Sequence, residues 1–110
     1  MSVNNKVLIE SKDAEAVQTT QFTSANTRTI IDKFTAVNTT AAAQTLSVNL
    51  VVQGGAATSA NLVVKAKSIA ANETYTFPEI VGHYLMSGGF ISTIASATGL
   101  TIRSSGREVT

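Results

Sequence analysis

The chain has 110 residues with a formal net charge of +1 at pH 7; 44% are hydrophobic, only 14% charged, and there is one Pro, no Cys and no Trp. That length holds one domain, residues 1–110, rather than two, and so high an apolar fraction with so little net charge excludes intrinsic disorder. Without cysteine there are no disulfide staples, so folding rests on one core, which a chain of this size builds by removing about 65% of its unfolded surface from water.

The 16 Thr, 11 Ser, 11 Val and 8 Ile favour pleated sheet over helix. The first predicted strand is Lys6 to Ser11; Ala16 to Thr23 follows as an irregular strand or a crossing loop. From Arg28 to Val37 the apolar residues fall on both parities, Ile30, Phe34 and Ala36 on one and Ile31 and Val37 on the other, which a bulge or two-sided burial explains. Thr45 to Val52 alternates cleanly, with Leu46, Val48, Leu50 and Val52 pointing one way. Between these runs Ala41-Ala42-Ala43 is too short to nucleate a helix and reads as loop.

Gln53 to Asn61 is a loop of small polar residues, and Leu62 to Ile69 resumes the strand pattern, expected to pair antiparallel with the run before it. Thr74 to Phe77 is a strand stopped by Pro78, which has no N–H for a ladder. Glu79 to Met86 carries a weak helical period, but Gly82 and its brevity reduce it to a turn or bend. Phe90 to Ala95 and Leu100 to Ser104 are strands, and Ser105-Gly106 is read as a turn into a last run, Arg107 to Thr110, expected to fray or to pair with another copy. The expected core is Phe34, Leu46, Val48, Leu50, Val52, Leu62, Val64, Ile69, Phe77, Ile91, Leu100 and Ile102. No repeat of 20 to 50 residues is present. The fold expected is an all-β antiparallel β-sandwich of about seven or eight strands, immunoglobulin-like or jelly-roll.

Chemistry is sparse. His83 is the one imidazole and there is no thiol, so a triad has a single conceivable base, and no Ser lies in a Gly-x-Ser-x-Gly elbow. Zinc favours His and Cys, here totalling one; Glu10, Asp13 and Glu15 are interleaved with Lys12 and form no calcium loop. Gly54-Gly55 lacks the Lys and helix of a phosphate cradle. Eight basic against seven acidic groups leave no nucleic-acid patch. The opening apolar run of three residues is too short for an export signal, and the charge-free stretches Thr39 to Val64 and Ile80 to Ile102 are too polar to span a membrane. Neither catalytic residues, a metal nor a cofactor is expected.

Taken over most of its length, the chain resembles small all-β virion proteins of tailed bacteriophages, those that decorate heads or sit at head, tail and fibre junctions. The pieces that carry the resemblance are Val7-Leu8-Ile9, Arg28 to Asn38, the Thr-rich strand ending at Val52, Ala70 to Tyr75, Leu85 to Ile91 and Ser104 to Thr110. Gly88-Gly89 stands where similar proteins carry Gly-Asp, and Ala71-Asn72 where they favour Pro-Gly. The resemblance implies a non-enzymatic structural protein, a head decoration or stabilising protein in many copies. Its partners would be copies of itself and the major capsid or other virion proteins, with no nucleic acid and no membrane, and its location the virion, assembled in the bacterial cytoplasm. The alternative is a carbohydrate- or receptor-binding module on a tail or fibre, with Tyr75, His83 and Tyr84 as its platform; Arg107 completes the candidate contact residues.

Overall fold

Branched and hydroxyl residues in alternation produce nine strands in the computed structural model, which describes residues 2–110. They are β1 (Val3–Asp13), β2 (Thr19–Thr23), β3 (Arg28–Asn38), β4 (Gln44–Val51), β5 (Leu62–Ile69), β6 (Thr74–Tyr75), β7 (Tyr84–Leu85), β8 (Phe90–Ala95) and β9 (Leu100–Val109). A 3-10 turn at Ser59–Asn61, capped by Thr58, precedes β5.

Every ladder is antiparallel, and the pairings nest. Strand β1 pairs with β9, β2 with β8, β3 with both β6 and β7, and β4 with β5. The chain is thus one long hairpin with its tip between β4 and β5. Rolling that hairpin adds the ladders β3·β9 and β4·β8 and splits it into two sheets, β1-β9-β3-β6 with β7 also on β3, and β2-β8-β4-β5. This is a β-sandwich of jelly-roll winding, with eight positions if β6 and β7 are counted as one interrupted strand.

Between the sheets lies one continuous apolar core, in which Phe34, Phe77, Ile31, Leu46, Ile69, Ile80, Ile91, Leu100, Ile102 and Val48 have no exposed surface. Each such side chain stabilises the fold by about 1.5–3 kcal/mol through burial. Phe77 sits edge-on to Phe34 at 5.1 Å between ring centroids. The mixed parity of β3 is resolved by a bulge: a register shift between Ile31 and Lys33 turns Ile31 inward with Phe34 and Ala36, while Ile30 and Val37 stay partly exposed.

Several expectations are corrected. Val52 is 74% exposed rather than core, because β4 ends at Val51 and Val52 starts a turn in which the Gly55 N–H donates to its carbonyl at 3.0 Å; Val51 is buried in its place. Leu50 and Leu62 are only partly buried. The strand expected to Phe77 stops at Tyr75, and Phe77 turns inward at φ 44°. The expected bend over Glu79 to Met86 is two successive turns, with the Ile80 N–H on Phe77 O and the His83 N–H on Ile80 O, running into β7. Ser105-Gly106 is no turn: β9 runs unbroken through it, and Arg107 to Val109 lies between β1 and β3 in the middle of a sheet.

Candidate contact surface

Antiparallel register carries side chains across a sheet in rows. On the outer face of the five-stranded sheet one row reads Asn5, Arg107, Ile30, Tyr84, since Asn5 pairs with Arg107, Arg107 with Ile30, and Ile30 with Tyr84. The next row reads Val3, Val109, Arg28. Two of the four candidate residues, Arg107 and Tyr84, therefore flank Ile30 on one face, although they lie far apart in the chain. Arg28, Ile30, Tyr84 and Val109 line an open groove of about 380 Å³.

Tyr84 is 60% exposed and also walls a smaller hollow of about 110 Å³, lined with it by Leu50, Val52, Met86 and Gly89 among others. The apolar surface thus passes from Ile30 and Val109 over the Tyr84 ring to Met86, 57% exposed, and Val52. Arg107 is fixed beside it: its Nε and Nη2 donate to the two carboxylate oxygens of Asp32 at 2.9 and 3.0 Å. That fork raises the Arg107 pKa, through the hydrogen bond first and the charge second. Asp32 reaches Arg107 because it sits in the β3 bulge.

Beneath the patch, buried hydroxyls lock the backbone. Ser24 Oγ donates to Thr27 O at 2.7 Å and lies 2.8 Å from Thr29 Oγ1, while Thr27 Oγ1 donates to Val109 O at 2.8 Å. The Ser24 N–H donates to Gly89 O at 2.8 Å, and the Gly88 N–H to Ser24 O at 2.6 Å. The β2–β3 turn, the end of β9 and the loop before β8 are thereby tied together, which satisfies polar groups that would otherwise be costly to bury.

Tyr75 is elsewhere. It pairs with Ala36, an inward position, and so leans on the core, 4.8 Å from Phe77 and edge-on to it. Lys67 Nζ lies over the Tyr75 ring at 4.4 Å, and the hydroxyl donates to Glu79 Oε2 at 2.7 Å. His83 is exposed on the turn before β7, held by its backbone: its N–H donates to Ile80 O at 3.0 Å and its carbonyl accepts from the Ile31 N–H at 2.8 Å. Of the four candidates, Arg107 and Tyr84 converge, His83 adjoins Tyr84 in sequence, and Tyr75 is half-buried elsewhere on the sheet.

Ile30, Arg28, Val109, Met86 and Val52 complete the surface and were not expected there. Alternation alone sets Ile30 with Phe34 and Ala36, which face the core; the register shift between Ile31 and Lys33 reverses the faces and turns Ile30 outward. Among the described residues no three of His, Cys, Asp and Glu stand close enough to hold a metal ion, and no helix is long and apolar enough to cross a membrane. No family model, curated protein or solved structure matches the chain.

Proposed function

We propose that the chain is a non-enzymatic structural protein of a tailed-bacteriophage particle, a head decoration or stabilising protein present in many copies and docked through the Tyr84 face. The observation that carries this is the apolar surface in which exposed Tyr84, Met86 and Val52 adjoin half-buried Ile30 and Val109, edged by Arg28. Tyr, Met and Arg are the residue types enriched where proteins meet. Arg107 is already neutralised by Asp32, so covering this face strands no second guanidinium without a partner. The resemblance to small virion proteins supplies the particle.

Mixing the purified chain with phage heads that lack it tests the proposal. The chain should co-sediment with heads and raise their disassembly temperature, and Tyr84→Ala should weaken binding about 30-fold, a loss of about 2 kcal/mol. Heads that ignore the chain would overturn it. Tyr84 is also the one Tyr left open to a sugar ring, so a glycan-array signal abolished by Tyr84→Ala would replace decoration by a tail or fibre binding module.

A further inference from the structure

The free edges of the two sheets are closed to different degrees. Strand β5 carries Lys65 and Lys67 around Ala66, whose φ of 48° breaks its regularity, and β2 has five residues with a register shift between Thr20 and Phe22. On the far side of the five-stranded sheet the edge is cut into β6 and β7, two residues each, by the segment containing Pro78. The first half of β1 has no such interruption: Val3 to Val7 pairs with β9 in unbroken register, and the shifts begin after Val7. Lysines, bulges and short pieces resist pairing with another chain, whereas a regular edge invites it.

The hydrogen-bond phase of this edge is defined. Ser2 and Thr110 exchange N–H···O bonds in both directions, at 3.1 and 2.9 Å. Alternation along an antiparallel ladder then turns Asn4 and Lys6 toward β9 as well, and leaves the N–H and C=O of Val3, Asn5 and Val7 pointing away from the sheet. No described strand lies on that side. The side chains of Val3, Asn5 and Val7 are on the outer face, opposite Val109, Arg107 and Ser105, and Val3 and Val7 are 54% and 37% exposed.

We propose that β1 pairs antiparallel with β1 of a second copy across a two-fold axis at Asn5, joining the two five-stranded sheets into one. In that register Val3 faces the second copy's Val7, Asn5 faces Asn5, and Asn4 faces Lys6, so each of the outward-pointing residues exchanges both backbone hydrogen bonds and the exposed valines cover each other. Charge selects the register. Sliding two residues one way sets Lys6 against the second copy's Lys6, and sliding the other way separates Val3 from Val7. In the chosen register Lys6 meets an amide, and its charge is already engaged by Glu108 at 3.2 Å. The proposal deepens the multi-copy reading by naming how copies join. So short an edge gives a weak dimer, which an array on a particle would strengthen by holding copies close together.

The test uses the purified full chain without particles, so it stands or falls separately from head binding. Sedimentation velocity from about 10 μM to about 1 mM should show a reversible dimer, in the weak range expected for a small interface. Asn5→Pro removes an N–H that β9 does not use and should abolish the dimer while keeping the far-UV circular dichroism of the fold, whereas Tyr84→Ala should leave the dimer intact. Asn5→Cys, the only thiol in its chain, should oxidise to a covalent dimer, because its mate lies directly opposite; single Val3→Cys and Val7→Cys, also exposed, should not. A chain that stays monomeric throughout, a dimer that survives Asn5→Pro, or equal cross-linking at all three positions would overturn the proposal. If Asn5→Pro fails to fold, the cross-linking pattern alone decides.

Discussion

Gly106→Ala adds one methyl group at the most tightly enclosed glycine of the chain. Gly106 faces Lys6 on β1 and Ile31 on β3, so strands flank it on both sides. A Cβ built there lands on the Ile30 carbonyl oxygen, deep inside van der Waals contact, and comes within 3.1 Å of Leu8 Cδ1. Overpacking against movable side chains costs about 1–3 kcal/mol. Here the obstacle is main chain, and β9 has no free side toward which to retreat, so ladder bonds near the β3 bulge must also lengthen at about 1 kcal/mol each. The expected cost is about 3–4 kcal/mol, a large part of the 5–15 kcal/mol that holds such a domain together, and a fall in Tm of about 12 °C or more. Urea and thermal unfolding followed by far-UV circular dichroism measure it. Gly54→Ala is the control: its φ of +78° carries left-handed strain, but nothing lies within 4 Å of an added Cβ, so it should cost only about 1 kcal/mol. If Gly106→Ala costs no more than Gly54→Ala, then Ser105-Gly106 is a turn after all and β9 is not the middle strand.

Leu46→Ala, at a position with no exposed surface, should cost about 2–5 kcal/mol in urea unfolding, whereas Val52→Ala, continuing the same alternation, should stay within about 0.5 kcal/mol. Asn38→Leu removes the amide that donates to Ala42 O and Ile69 O and accepts from Thr40. The buried groups left unpaired should cost about 3 kcal/mol, and native-state hydrogen exchange should quicken at the Thr40 amide. In a Tyr84→Phe background the remaining phenol, Tyr75, should titrate above its ordinary 10.0 by absorbance, because its hydroxyl donates a hydrogen bond to the Glu79 carboxylate that holds the proton on the phenol; Glu79→Gln should bring it down. The same bond lowers Glu79 below 4.5. Its contribution is therefore full between these limits, lost as pH rises through the raised Tyr75 pKa and lost as pH falls through the depressed Glu79 pKa, so the Tm gap between wild type and Tyr75→Phe should narrow at both extremes.

Strand β4 was legible because Leu46 and Val48 alternate with Thr45 and Ser47 on a half-buried surface, and the pairing of β4 with β5 followed from the loop of small residues between them. The end of β4 was not legible: alternation in the sequence runs through Leu50 to Val52, whereas a register shift after Val48 reverses the faces, burying Asn49 and Val51 and leaving Leu50 half-buried and Val52 exposed. Ser105-Gly106 misleads for a related reason. Those residue types serve turns, but here Ser104 is buried with its hydroxyl on Lys33 O at 2.7 Å, and the glycine lets two backbones approach. Composition does not separate a chain reversal from a close inter-strand contact. Tyr75 stands apart from Tyr84 and Arg107 because its face is set by its partner, Ala36, and a two-residue strand has no alternation of its own.

The nested pairing explains why the contact surface stayed hidden in one dimension while its parts were visible. In a hairpin rolled from its ends, β1 must meet β9, so the first and last segments become neighbours, and the second ladder of β9 brings in the start of β3. Residues near 3, 28, 84 and 109 are then placed side by side by topology alone, with local sequence deciding only which of them face outward. Position in the roll therefore turns Arg107 from an expected loose end into the middle of a sheet, and leaves the edge to β1. The same winding makes nearly every ladder except β4·β5 long in sequence separation, so loop closure must precede most of the stabilising contacts and folding should be slow, on the millisecond-to-second scale of such β topologies. While β1 waits for β9 its edge is open on both sides, so a pairing of Val3 to Val7 with another chain is as accessible to the incomplete fold as to the finished one.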